Sequence, residues 1–269
     1  MNWYEYGIVT GMTTGYWYDD CAMVKIPVAI KNSNMCHKLV FGKDKSSMLV
    51  AGLTGSGKSE LKKFLLSNLV KRYSPKKVNI KGIQFGDSYD HFGQPLFLMP
   101  HTKSMTACSD GVEVLYALKK LFAEMEAVYA YTNSEKYVVN EHADIPHTFV
   151  FIEEIIGAAR ELEIEKDVYG LLHNILEIAP EVNYNIVIFE QGVAESFAKS
   201  EAFKHLDYKV CLRVTPETSR AVLGTDVACL IKEGTGNFYM YDDELVLYEF
   251  PIVPCSTFED IVTAVRMIK

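Results

Sequence analysis

Eight consecutive residues, Gly52-Leu53-Thr54-Gly55-Ser56-Gly57-Lys58-Ser59, place three glycines, a lysine and a hydroxyl in the pattern G-x-x-x-x-G-K-[ST]. Glycines let the backbone curl so that successive N–H groups converge, and such a nest binds phosphate oxygens. An apolar run, Met48 to Ala51, precedes the loop and an amphipathic stretch follows it, so a helix amino terminus adds its positive dipole end. Lys58 is placed to reach the β and γ phosphates of a nucleoside triphosphate, and Ser59 to ligand Mg²⁺. ATP and Mg²⁺ are the cofactors this chemistry calls for, held by Thr54, Gly55, Ser56, Gly57, Lys58 and Ser59.

Hydrolysis needs carboxylates near that loop, one for the magnesium shell and one to polarise water. Phe149-Val150-Phe151-Ile152-Glu153-Glu154 supplies two at the end of an apolar run. Glu153 occupies the metal position, one methylene longer than the usual Asp, and Glu154 occupies the general-base position. The alternative is that both merely begin a solvated helix. A second apolar run, Asn185 to Phe189, leads to Gln191, a candidate γ-phosphate sensor or an ordinary loop amide.

These groups need a scaffold. Leu61, Leu65 and Leu69 recur every four residues and predict a helix from Lys58 to about Tyr73. Val78 to Phe85 reads as a strand. Val112, Leu115, Leu118, Phe122, Met125 and Tyr129 form one apolar stripe of a helix from Gly111 to Tyr131, read as core packing. Asp167 can cap a helix that Pro180 stops near Ala179. His147 to Ile152, Tyr208 to Val214, Asn237 to Tyr241 and Leu245 to Phe250 read as further strands. This alternation predicts an α/β fold with a mostly parallel sheet covered by helices on both faces. Residues 1–45 read as a β-rich extension packed on the core, with a turn at Thr13-Thr14-Gly15 and a strand from Lys25 to Ile30; residues 46–269 form the main domain. Stacking of bases on Trp3 or Trp17 is the sharper reading of that extension.

Of 269 residues, 49% are hydrophobic and 23% charged, enough to bury a sizeable core. Lys and Arg number 27 against 35 Asp and Glu; the net charge of −8 argues against a chain coated in nucleic acid but leaves room for a local basic patch. No apolar run reaches the ~20 residues of a membrane span, and the first residues lack a basic-then-apolar leader. The chain is read as soluble and cytoplasmic, without membrane insertion. Cys21, Cys36, Cys108, Cys211, Cys229 and Cys255 are scattered without a C-x-x-C pair, and read as free thiols rather than a zinc site.

The stretch from Met48 to Leu61 resembles the loop of the FtsK/SpoIIIE superfamily of motor ATPases, nearest in look to the ATPase repeats of the secretion protein EssC. Lys25 to Ile30 resembles the family's lead-in strand, Phe151 to Glu154 its acidic strand, and Ile188 to Gln191 the strand ending in Thr-Gln. Lys209 to Val214, Ser219 to Gly224 and Gly234 to Tyr241 resemble its ending. The resemblance extends the cofactor-binding set to Glu60. It implies a RecA-like domain that assembles into a homo-hexameric ring, binds ATP between subunits and moves a polymer, usually double-stranded DNA.

Three departures stand out: Glu153 for Asp, Glu190 where the family has Thr, and Pro180 where its trans-acting arginine finger falls. They leave a slow ATPase, an arginine drawn from Arg160, Arg213 or Arg220, or a regulatory role. The short tail after the last strand suggests a free-standing motor module of a mobile element.

The first expectation is therefore a DNA translocase. Its support is a cation cluster, Lys62, Lys63, Lys71, Arg72, Lys76, Lys77 and Lys81, which otherwise reads as a solvated helix face. The alternative is an ATP-binding component of a type VII-like protein secretion or assembly apparatus, favoured by the acidic balance and the missing finger. A metabolic kinase is set aside for want of a clamp for a substrate phosphate.

Overall fold

All five residues of the strand entering the glycine loop are buried, as are all seven of Tyr184–Glu190 and six of seven in His147–Glu153. Strands hidden on both sides belong in the middle of a sheet that helices cover on both faces. The computed structural model of the chain, which describes residues 23–30, 36–86, 99–133 and 145–252, has this arrangement. The readings on Trp3, Trp17 and the Thr13-Thr14-Gly15 turn lie outside these residues.

The strands are β1 (Val24–Ile30), β2 (Cys36–Phe41), β3 (Ser47–Ala51), β4 (Val78–Phe85), β5 (Thr102–Cys108), β6 (His147–Glu153), β7 (Tyr184–Glu190), β8 (Tyr208–Cys211), β9 (Asn237–Asp242) and β10 (Glu244–Glu249). The helices are α1 (Lys58–Arg72), α2 (Gly111–Thr132), α3 (Ile155–Glu161), α4 (Glu165–Ile178), α5 (Glu195–Ala198), α6 (Glu201–Lys204) and α7 (Pro216–Leu223). Among the described residues one ten-stranded sheet runs β2-β1-β10-β9-β8-β3-β7-β6-β4-β5. The six strands from β8 to β5 are parallel, and β9, β10, β1 and β2 extend them as an antiparallel wing.

Alternation along the central strands divides the core. Met48, Val50, Phe149, Phe151 and Phe189 pack on the α1 side with Leu61, Phe64 and Leu65. Leu49, Ala51, Val150, Ile152 and Ile188 face the other way, toward Leu118 and Met125 of α2 and Leu172 and Ile175 of α4. The Asp207 carboxylate accepts from the Ser46 and Ser47 N–H groups at 2.8 and 2.9 Å and from the Ser47 hydroxyl at 2.7 Å, fixing where β3 begins beside β8.

The wing is tied to this core by side chains as well as ladders. The Tyr208 hydroxyl donates to the Val40 carbonyl at 2.9 Å and accepts from the Val40 N–H at 3.0 Å. Phe41, fully buried, meets Phe149 and Tyr208 edge-on at 5.2 and 5.7 Å.

Several local expectations change. The buried face of α2 is Val114, Ala117, Leu118, Leu121 and Met125; Val112 is 77% exposed and Tyr129 43% exposed, so the predicted stripe is rotated. Asp167 lies inside the first turn of α4 and does not cap it. β2, β5 and α7 were not foreseen. α3 starts directly after the acidic pair with Glu154 at its N-cap, the helix that the alternative reading of that pair called for, although Ile155, Ile156, Ala158 and Ala159 are buried in it. β5 is polar and mostly uncovered because it forms the outer edge of the sheet, where no apolar run is required. Cys108, Cys211 and Cys229 are free thiols, and burial pushes the Cys108 thiol up to about 11.

Candidate nucleotide site

The glycine loop hangs between two strand ends. The Gly52 N–H donates to the Glu190 carbonyl at 3.0 Å and the Leu53 N–H to the Arg213 carbonyl at 2.9 Å. Gly55 and Gly57 have φ of 76° and 104°, the left-handed region that other residues enter at a cost. At Gly52 a Cβ would lie 2.4 Å from the Ser56 hydroxyl. α1 starts on Gly57 without a side-chain cap, so its first-turn N–H groups face the loop. The Ser56 hydroxyl is buried without a hydrogen-bond partner. Left-handed glycines and uncapped first-turn N–H groups at a helix start fit a polyphosphate.

The Lys58 ammonium donates to the Gly52 carbonyl and lies 3.6 Å from a Glu154 oxygen. The other Glu154 oxygen accepts from the Gln191 N–H at 3.0 Å. β7 separates β6 from β3, so the strands that carry the glycine loop and the acidic pair are two spacings, about 10 Å, apart, and the Lys58 side chain reaches across to Glu154. Thr54, Gly55, Gly57, Lys58, Ser59, Glu60, Glu153, Glu154 and Gln191 line one cleft of about 520 Å³, joined by Gln84 and Phe85 from the end of β4. Nine of the ten residues named from sequence therefore meet in one place, and Ser56 sits behind the loop.

Glu153 is held by Lys62, its carboxylate accepting from the ammonium at 2.7 Å. One hydroxyl at Ser59 and one carboxylate at Glu153 suit Mg²⁺, which keeps several waters and takes few protein ligands. Glu60 pairs with Lys63 at 2.5 Å. These two pairs take Lys62 and Lys63, 2% and 1% exposed, off the solvated face, while Lys71, Arg72, Lys76 and Lys77 stay at least partly exposed. Lys81 pairs with Glu124. The cluster is thus not one basic face.

Sequence reasoning missed Gln84, because β4 alternates polar and apolar residues and ends on Phe85, so no apolar run points to the amide. It also missed a pair beside the loop. An Arg213 guanidinium nitrogen lies 3.0 Å from Glu233, whose other oxygen would be 2.8 Å from a Cβ on Gly55. Of the substitute arginines, Arg160 and Arg220 instead line a larger cleft of about 1100 Å³ that also touches Glu154 and Gln191. Pro180 lies in the 3-10 turn Ala179–Val182 ahead of β7, at the end of the sheet opposite the loop.

Fold and site together define a RecA-like P-loop ATPase domain. The FtsK/SpoIIIE family model matches residues 14–180, and the chain belongs to that family. Among curated proteins it is 26% identical over 212 residues to the ESX-1 secretion system protein EccCa1 of Mycobacterium tuberculosis, spanning 70% of this chain but 27% of that one. Three solved structures share the fold. The cytoplasmic domain of the Thermomonospora curvata type VII secretion ATPase EccC is 20% identical (TM-score 0.73, 94% of this chain and 32% of that chain). ATPases 2 and 3 of EssC from Geobacillus thermodenitrificans are 13% identical (TM-score 0.73, 97% and 51%). The pCW3 conjugation coupling protein TcpA, with ATPgS, is 15% identical (TM-score 0.66, 95% and 74%). Among the described residues no helix is long and apolar enough to cross a membrane.

Proposed function

We propose that this domain binds and hydrolyses ATP with Mg²⁺ as one unit of a homo-hexameric ring, and that the ring handles protein in a secretion or assembly apparatus. The observation that carries the reading is the meeting of Lys58, Glu154 and Gln191 at one cleft beside the glycine loop. The loop N–H groups and Lys58 hold the phosphates, Ser59 and Glu153 hold the metal, Glu154 takes a proton from water, and Gln191 reads the γ phosphate. Bound Mg²⁺ supplies charge neutralisation on the phosphate oxygens. Among the described residues Arg213 stands beside the loop, its carbonyl holding the Leu53 N–H, and serves as a cis-acting arginine where Pro180 offers no trans-acting one.

Duplex DNA, the first expectation from sequence, becomes the second reading. The similarity to a conjugation coupling protein supports it, whereas burial of Lys62 and Lys63 removes two of its cations and the net charge of −8 remains against it. ATP turnover is measured for wild type and Glu154→Gln, with and without duplex DNA. Activity that is lost in Glu154→Gln and indifferent to DNA is expected. Equal turnover of the two proteins overturns the site assignment, and stimulation by DNA that fades with salt restores the translocase.

A further inference from the structure

Glu190 is the family departure with the least obvious use. It ends β7, opposite Ala51 of the loop strand, and its carbonyl holds the Gly52 N–H. Its side chain is fully buried. One carboxyl oxygen accepts from the Ile156 N–H at 2.7 Å and the other from the Gly157 N–H at 3.1 Å. Both donors belong to the first turn of α3, which leaves four N–H groups without helical partners.

The residue that would ordinarily cap α3 is Glu154. It occupies the N-cap position in the left-handed region, with φ 55° and ψ 24°, and makes no side-chain cap bond. Its carboxylate turns instead to Lys58 and the Gln191 N–H. Capping and cleft chemistry thus compete for one carboxylate, and a second carboxyl from the neighbouring strand separates the two tasks. Burial, and then the nearby Glu154 charge, push Glu190 well above the usual carboxylate range, as expected of two acids crowded at one helix end.

We propose that Glu190 is a positioning residue for Glu154: by filling the amino end of α3 from β7, it keeps the Glu154 carboxylate turned toward Lys58 and the glycine loop. The idea rests on the ATPase reading of the cleft. A Thr at this position has a shorter side chain with a single oxygen, which cannot serve both N–H groups as the two oxygens of Glu190 do. Without Glu190 the open helix end draws the Glu154 carboxylate inward, because a carboxylate is favoured at an unfilled helix amino terminus.

The test is a mutant cycle. ATP turnover and affinity for a fluorescent ATP analogue are measured for wild type, Glu190→Ala, Glu190→Gln, Glu154→Gln and the double variant Glu154→Gln/Glu190→Ala, with thermal melts to show that each is folded. Glu190→Ala is expected to lower turnover by about tenfold or more while analogue affinity stays within about threefold, since displacing a catalytic group by an ångström costs rate rather than binding. Glu190→Gln, which keeps one acceptor oxygen, should lose less. In the Glu154→Gln background the Ala substitution should cost nothing further, because residues acting as a unit are not additive. Wild-type turnover in Glu190→Ala, a loss of affinity in step with turnover, or an equal loss with and without Glu154 overturns the proposal. If Glu190→Ala does not fold, Glu190→Gln carries the same comparisons in both backgrounds. Turnover that Glu154→Gln leaves unchanged sinks the site reading itself, whereas a loss in Glu154→Gln beside an inert Glu190→Ala sinks only the role of Glu190.

Discussion

Lys58 serves two partners that differ in kind: the Gly52 carbonyl closes the loop on its own helix, and Glu154 lies across the cleft. A triphosphate adds up to four negative charges to this setting, so the ammonium is the main counter-charge inside the loop. Lys58→Ala should weaken nucleotide affinity by about a hundredfold or more, since charge-assisted contacts are the strong ones; fluorescence titration checks this, with melting measured to show that the fold survives. Glu190 makes a separate prediction about stability. Its folded carboxyl is raised to about 8 from an ordinary 4.5. Between those values the folded chain binds more protons than the unfolded one, so this group makes stability fall as pH rises through the window. Glu190→Gln lacks the effect, and its melting temperature should drop less than that of wild type between pH 5 and pH 8. At this scale the phosphate loop was legible from the spacing of its glycines, lysine and serine, and Glu153, Glu154 and Gln191 from their places at the ends of apolar runs. The pairing of Glu153 with Lys62 was not, because burial of a lysine leaves no mark on spacing along the chain. Glu190 was visible only as a departure from a pattern; its contact with α3 is set by tertiary packing.

Among the elements, helix starts and strand interiors were the most readable. α1 begins at Lys58 after the glycine loop and α2 at Gly111, where the sequence pattern placed them, and β4 matches its predicted bounds. In α2 the Asp110 carboxylate accepts from the Glu113 N–H at 2.9 Å, while the Glu113 side chain reaches back to the Ser109 N–H at 2.7 Å. Both bonds are exposed, and loss of such a cap costs about 1 kcal/mol. Asp110→Ala should therefore destabilise the chain by about that amount in urea melts and leave nucleotide affinity unchanged. The face of α2 was harder to read, since a 22-residue helix carrying apolar residues around much of its circumference allows more than one stripe. The sheet decides between them: Val114, Leu118, Leu121 and Met125 meet the core under β6, and Val112 is left outside. α3 and α7 are too short for periodicity to reveal, at seven and eight residues.

For the molecule as a whole, the sheet sets the terms. β1 and β2 are built into the sheet and its core, since β1 pairs with β10 and Phe41 covers Phe149 in the middle of the parallel strands. A chain starting at residue 46 should lose cooperative thermal unfolding and bind a hydrophobic dye; a sharp, wild-type-like transition would show that the main domain stands alone. Tyr208→Phe makes the milder version of the same point. It removes the bond to the Val40 carbonyl and leaves the Val40 N–H without its partner, at a cost of roughly 1–3 kcal/mol. The parallel half was legible from its buried apolar strands, except for the polar edge strand β5. In the antiparallel wing β1, β9 and β10 were legible but β2 was not, and the wing's position was not either, because nothing in local sequence says that β10 returns to meet β1. That return has a mechanical side. The glycine loop leaves β3, and the β2 edge lies five strands away, about 24 Å at a spacing near 4.8 Å. With a stiff sheet as lever arm, a twist of about 5° at the junction of β3 and β8 swings that far edge by roughly 2 Å.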